Sequence, residues 1–149
     1  MTKKCLFAVL MMTFVLTPIL AVAAEDTIGI VRNLEGYATV TRGDQVFPAA
    51  KGTKLQVDDT LMTGPNGSMG IVLRDNSTLS IGPRSSLVVR SFLFSPAEGK
   101  LGLLVRLSRG TMVYLSGLIG KLAPESARFE TPVASIGIRG TRFAVKLDE

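Results

Sequence analysis

The sequence predicts an all-β protein, one domain of many short strands, and three observations carry that expectation. Beyond the first two dozen residues Gly or Pro recurs every few positions, in a chain with 15 Gly and 7 Pro, so no uninterrupted ten-residue stretch keeps a helical period with capping residues. Short apolar runs with β-type alternation recur instead. Strong turn signals stand between them, among them Gly43-Asp44, Pro65-Asn66-Gly67, Asp75-Asn76-Ser77 and Gly82-Pro83.

Residues 1–24 come first and read differently from the rest. Lys3 and Lys4 precede a mostly apolar run from Cys5 to Leu16, Pro18 interrupts helix, and Ala21, Ala23 and Ala24 supply small residues. That is the pattern of a secretory signal peptide cut after Ala23 or Ala24. An uncleaved anchor is the alternative, but Thr13, Thr17 and Pro18 break a run already short of the ~20 residues a span needs. The expected mature domain is 25–149, exported, with no integral membrane segment once the leader is removed.

Within that domain, residues 28–31, 37–42, 69–73, 78–81, 87–92, 103–107, 111–115, 134–138 and 141–146 read as strands. Met69, Ile71 and Leu73 share one face, as do Leu79 with Ile81 and Leu87 with Val89, and these are the expected core. Tyr37 and Tyr114 are expected to be half-buried strand residues with wet hydroxyls, and Phe143 to be core. Thr63 to Ile71 loosely echoes Thr131 to Ile138, since a Thr opens each segment and Ser, an apolar residue, Gly and Ile follow. Stacked coils of a short solenoid produce such echoes, so solenoid-like winding is expected, with a β-sandwich or barrel as the alternative.

The most informative stretch is TPVASIGIRGTRFAV, residues 131–145. Pro132 biases Thr131 toward extended backbone. Ala134, Ile136 and Ile138 then share one face, with Ser135 and Gly137 on the other. Gly140 permits a sharp turn, after which Arg142 and Ala144 alternate with Thr141, Phe143 and Val145.

This pattern closely resembles the C-terminal signature of the FecR domain, a module of bacterial exported and envelope proteins. GTKLQVDDTL (residues 52–61), MTGPNG (62–67) and MGIVLRDNSTLSIGPRSS (69–86, with Asp75 and Ser77) resemble the family's middle region in family order. The resemblance spans about Ile28 to Lys146. It implies an all-β, solenoid-like, extracytoplasmic module of a Gram-negative periplasm that works by interaction rather than catalysis. FecR-type regulators span the inner membrane with an anti-sigma segment inside. No cytoplasmic segment is expected ahead of the apolar N-terminus here, so the extracytoplasmic module is what the resemblance transfers, and neither direct sigma-factor contact nor iron-dicitrate signalling follows from it.

Composition narrows the chemistry further. Cys5 is the only cysteine and lies in the leader, so the mature domain has no disulfide and holds together by packing, which about 125 residues suffice to do. Without Lys3 and Lys4 the 17 basic residues become 15 against 12 acidic, and the net charge falls from +5 to +3. The remaining cations are scattered and Trp is absent, which argues against a nucleic-acid surface.

With no histidine anywhere, Ser-His-Asp and Cys-His catalysis and histidine or thiolate zinc sites are excluded. Asp58, Asp59 and Asp75 remain as carboxylates for acid–base work on a sugar, but the places of Asp58 and Asp75 beside turns read as backbone capping. They also lack the spacing of a calcium loop. Neither a cofactor nor a metal is expected.

Arg139 beside Gly140 reads either as an internal clamp to Asp75 or Asp59 or as a guanidinium aimed at a partner. With Arg142, Arg84 and Arg90 it makes up the candidate binding set, and Arg84, Arg90, Arg106 and Arg109 form one basic face if the strands stack. Thr131, Pro132, Gly137, Gly140, Thr141, Phe143, Asp75 and Ser77 make up the structural motif. The expected function is a non-catalytic exported module that binds an envelope protein partner as sensor or scaffold, by strand addition at a sheet edge. The alternative is a binder of peptidoglycan or lipopolysaccharide.

Overall fold

The computed structural model describes residues 26–148, so the leader expected over residues 1–24 lies outside them. Alternating apolar runs broken by turns produce twelve strands among the described residues. β1 is Gly29–Glu35, β2 Ala38–Arg42, β3 Gln45–Pro48, β4 Lys54–Leu55, β5 Thr60–Thr63 and β6 Ser68–Leu73. β7 is Thr78–Ile81, β8 Ser86–Ser95, β9 Lys100–Leu115, β10 Ala127–Glu130, β11 Ser135–Gly137 and β12 Arg142–Leu147. A short helix, α1 (Leu118–Leu122), follows β9.

The strands form one curled sheet, a half-barrel, in the order β3-β2-β5-β8-β9-β7-β6-β1-β4. β9 is its spine. The first half of β9 pairs with β8 and β10, and the second half pairs with β7 and β12. Two lobes result, one holding β4, β1, β6, β7 and β12, the other β3, β2, β5, β8, β10 and β11. Val31, Ile71 and Leu79 from the first lobe and Val40, Leu61, Leu87 and Val105 from the second join one apolar cluster.

The bend in β9 has a visible cause. Gly110 takes a φ of +88°, and a Cβ there would lie 2.2 Å from Ser85 Oγ, so only glycine lets the strand pass the corner. Ser85 Oγ accepts the Thr111 N–H at 3.0 Å, while the Thr63 hydroxyl accepts the Ser85 N–H at 2.9 Å and donates to the Gly82 carbonyl at 2.6 Å. Backbone groups that the bend takes off the ladder are thereby satisfied.

The all-β expectation holds, as does the expected core: Met69, Ile71, Leu73, Leu79, Ile81, Leu87 and Val89 are all buried. The winding is that of a curled sheet rather than stacked coils, because every ladder but β9 with β10 is antiparallel among the described residues. The echoing segments differ accordingly. Residues 64–67 carry the chain from one lobe to the other, whereas residues 131–134 close a hairpin between β10 and β11.

Other differences follow from tertiary context. The runs at 103–107 and 111–115 are one strand, since Gly110 bends β9 without ending it. Strands β3, β4, β5 and β10, two to four residues each, carried too little alternation to read. The strand expected over 134–138 is trimmed to β11, because Thr131 Oγ1 accepts the Ala134 N–H at 3.0 Å and holds that residue in the turn. Tyr37 precedes β2 and is 66% exposed, while Tyr114 is fully buried with its hydroxyl bonded.

Candidate functional site

Two regions draw on the motif residues, one closed and one open. The closed one begins at Asp75 and Ser77, in the turn between β6 and β7. Asp75 Oδ1 accepts the Ser77 N–H at 3.0 Å, a local turn bond of the kind expected of Asp between β-runs. Asp75 Oδ2 accepts the Ser77 hydroxyl at 2.6 Å and the Ile119 N–H at 3.2 Å, and the Asp75 carbonyl accepts the Leu118 N–H at 2.7 Å. The start of α1 is thus tied to the turn.

Ser77 Oγ also accepts the Gly117 N–H at 3.0 Å and lies 3.0 Å from the Tyr114 hydroxyl. Because the Ser77 proton goes to Asp75, Tyr114 is the donor in that pair. Burial pushes the Tyr114 hydroxyl above its ordinary value of 10.0, and the bond to Ser77 opposes the shift only in part. Asp75, Ser77 and Tyr114 are wholly buried. A carboxylate without access to substrate is a structural lock, and no described buried side-chain polar atom lacks a partner.

The open region is the end of the sheet at β11 and β12. Among the described residues each pairs on one side only, β11 with β10 and β12 with β9. The Ser116 N–H donates to the Thr141 carbonyl at 2.7 Å. Antiparallel alternation therefore turns the N–H and C=O of Phe143, Val145 and Leu147 toward β9, and those of Arg142, Ala144 and Lys146 outward. Among the described strands that have a single neighbour, β12 with six residues is the longest, since β3 has four and ends on Pro48, β11 has three and β4 two, and β8 beyond Val89 offers a further stretch paired on one side.

Between β11 and β12 runs a cleft of about 330 Å³, lined by Ile136, Ile138, Arg139, Phe143 and Val145 among others. Ile136, Phe143, Val145 and Leu147 are only partly buried there. The Phe143 ring meets Phe129 at 4.7 Å and Tyr114 at 5.6 Å, so the seam packs directly against the closed lock. Gly140 makes the turn into β12 at a φ of +155°.

The arginines separate. Arg139 and Arg142 are exposed beside the seam. Neither acid suggested as a clamp is free for Arg139: Asp59 takes Arg42 Nε at 2.8 Å and Nη2 at 2.7 Å, and Asp75 is closed within the lock. Arg90 pairs with Asp58 at 3.1 Å and Arg106 with Glu130 at 3.1 Å. The face of four arginines thus divides, leaving Arg84 and Arg109 together on the outer surface. Asp58 and Asp59, the other acid–base candidates, are both held by arginine.

What sequence reasoning missed is Tyr114 and the start of α1 as partners of Asp75. Their separation along the chain hides the contact, and only the Asp-x-Ser spacing hinted at it. A larger cleft of about 600 Å³, with Phe92 beneath the Arg74 guanidinium at 6.0 Å, includes Asp26 in its wall. Among the described residues no helix is long and apolar enough to cross a membrane, and no cluster of acids, histidines or cysteines gathers at metal-binding distance.

The family model described as FecR protein matches residues 59–149, more than half of the chain. No curated protein and no solved structure matches. The matched stretch contains the lock, β9 and both strands of the seam.

Proposed function

The chain belongs to the FecR protein family, and on that premise we propose that it is an exported, non-catalytic sensing module that takes up a strand of an envelope protein along β12. The family is one of non-enzymatic signalling regulators with a role in envelope signalling. The observation that supports strand uptake is the open seam. A half-barrel that stops at β12 leaves a row of outward backbone donors and acceptors over partly exposed Phe143 and Val145, which one more strand would pair and cover.

Arg142 and Lys146 are exposed on that strand, at the register positions of Leu115 and Thr111, and Lys146 pairs with Asp148 at 3.4 Å. Such charges discourage self-pairing and favour a partner strand bearing acidic residues. Lys3 and Lys4 ahead of the apolar run from Cys5 to Leu16 support export to the periplasm of a Gram-negative envelope as part of this reading. The experiment is photo-cross-linking in cells with a photoreactive residue at position 144, whose backbone faces outward. A discrete protein adduct is expected, and it should vanish when Lys146→Pro is added to block pairing along the edge. An adduct unchanged by the proline, or only diffuse adducts, would sink strand addition.

A further inference from the structure

We propose that the outer face beside Arg84 and Arg109 is a separate binding site for a carboxylate carried on a sugar ring, as in an acidic envelope glycan. The site is a groove of about 430 Å³ walled by Tyr37, Thr39, Met62, Pro65, Arg84 and Arg109 among others. No carboxylate lines it. Among the described residues neither arginine forms an ion pair or side-chain hydrogen bond, so both line the groove with unpaired guanidinium donors, and both also border a smaller hollow shared with Lys146 and Asp148.

The groove lies on the face of the sheet rather than its edge. Thr39 stands opposite Met62, Met62 opposite Ser86, and Ser86 opposite Arg109, so one cross-strand row runs over β2, β5, β8 and β9. Backbone groups in that row belong to the ladder, which leaves recognition to side chains. An extended peptide would find few free backbone partners there. A pyranose would find an apolar floor at Met62 and Pro65, an exposed aromatic at Tyr37, a hydroxyl at Thr39 and a forked donor for its carboxylate.

The groove is also held in shape. The Gly64 N–H donates to the Tyr37 carbonyl at 2.8 Å and the Arg84 N–H donates to the Gly64 carbonyl at 3.1 Å, so one glycine ties both walls together. A Cβ at Gly67 would lie 2.3 Å from the Tyr37 carbonyl, which shows how closely the two loops are packed. Arg84 sits at a φ of +50°, a conformation that suits glycine better. The chain keeps a guanidinium where a turn alone would favour none.

That strain supplies the test. Binding of a galacturonic acid tetrasaccharide to the exported chain would be followed by titration, with a galactose tetrasaccharide as neutral control. The disaccharide of N-acetylglucosamine and N-acetylmuramic acid tests a lactyl carboxylate as the other source, and a tetraglutamate peptide tests charge alone. Saturable binding of one acidic sugar is expected, and which one binds tells uronate from muramate. It should weaken at least tenfold in Arg84→Gly and in Arg109→Gln and several-fold in Tyr37→Ala.

Arg84→Gly should keep its melting temperature, because glycine suits that backbone, so its loss of binding reports the side chain. Ala144→Pro should leave sugar binding intact, which separates this site from the seam. Equal binding of the neutral sugar, equal and equally variant-sensitive binding of tetraglutamate, or no saturation with either acidic sugar would overturn the proposal.

Discussion

The lock at Asp75 and the seam at β12 are neighbours, joined through the rings of Tyr114 and Phe143, yet they treat backbone and polar groups in opposite ways. In the lock every donor finds an acceptor inside the protein, and wholly buried Asp75, Ser77 and Tyr114 hold a turn, a helix start and the spine strand together. In the seam the outward half of β12 has no ladder partner among the described residues and the apolar residues beneath it are only partly covered. Polar groups satisfied internally specify a fold, whereas groups left for an outside partner specify an encounter.

Breaking the lock should have the largest effect. Asp75→Ala strands the Ser77 and Ile119 N–H groups in the core, and we expect a loss of about 4 kcal/mol in denaturant unfolding, since each orphaned buried donor costs roughly 1–3 kcal/mol. A loss under 1 kcal/mol would show that water replaces the carboxylate. Next comes a paired glycine test. A Cβ at Gly117 would lie 2.3 Å from the Asp75 carbonyl and from the Ser77 nitrogen, so Gly117→Ala should cost about 3 kcal/mol. At Gly137 a Cβ meets nothing within 4 Å, and Gly137→Ala should stay within about 0.5 kcal/mol of the parent. Similar losses at both sites would erase the contrast between closed and open regions.

Tyr114→Phe sharpens the comparison through pH. It should cost about 1 kcal/mol near neutrality, the ordinary net worth of one hydrogen bond. The Tyr114 pKa is raised in the folded state, so its contribution is complete below 10.0 and declines as pH rises above that value, where the unfolded chain ionises and the folded one resists. The parent should therefore lose stability above pH 10 more steeply than Tyr114→Phe. Parallel alkaline slopes would place the Tyr114 hydroxyl in contact with water.

At the seam, Ala144→Pro removes an N–H that faces away from β9, so stability should change by less than about 1 kcal/mol while strand uptake is lost. Unfolding curves together with cross-linking yield check both halves of that expectation. A large stability loss would mean that the outward edge already has a partner within the chain.

Much of the lock and the seam was legible in the chain. Asp75-Asn76-Ser77 declared a capped turn, and Thr131 to Val145 declared two strands about a glycine bend, because those signals are local: a side chain bonding the backbone two residues on, or a period of two. Tyr114 was misjudged because a strand residue's burial depends on what covers it. Phe129 and Phe143, at 4.7 and 5.6 Å, come from strands far along the chain. The basic face was misjudged for the same reason, since whether an arginine is spent depends on which acid folds beside it.

The sequence by itself determined the strand periodicity, the buried faces of β6, β7 and β8, the turn chemistry at Asp75 and Thr131, and membership of a family whose signature it carries. Those properties reside in neighbours along the chain. The tertiary structure alone decided that β9 is one bent strand serving two lobes and that, among the described residues, the sheet stops open at β12 and Arg84 and Arg109 keep their donors while Arg90 and Arg106 lose theirs. These outcomes turn on contacts between distant segments, where a glycine's clearance or an acid's position settles which groups are closed and which remain available.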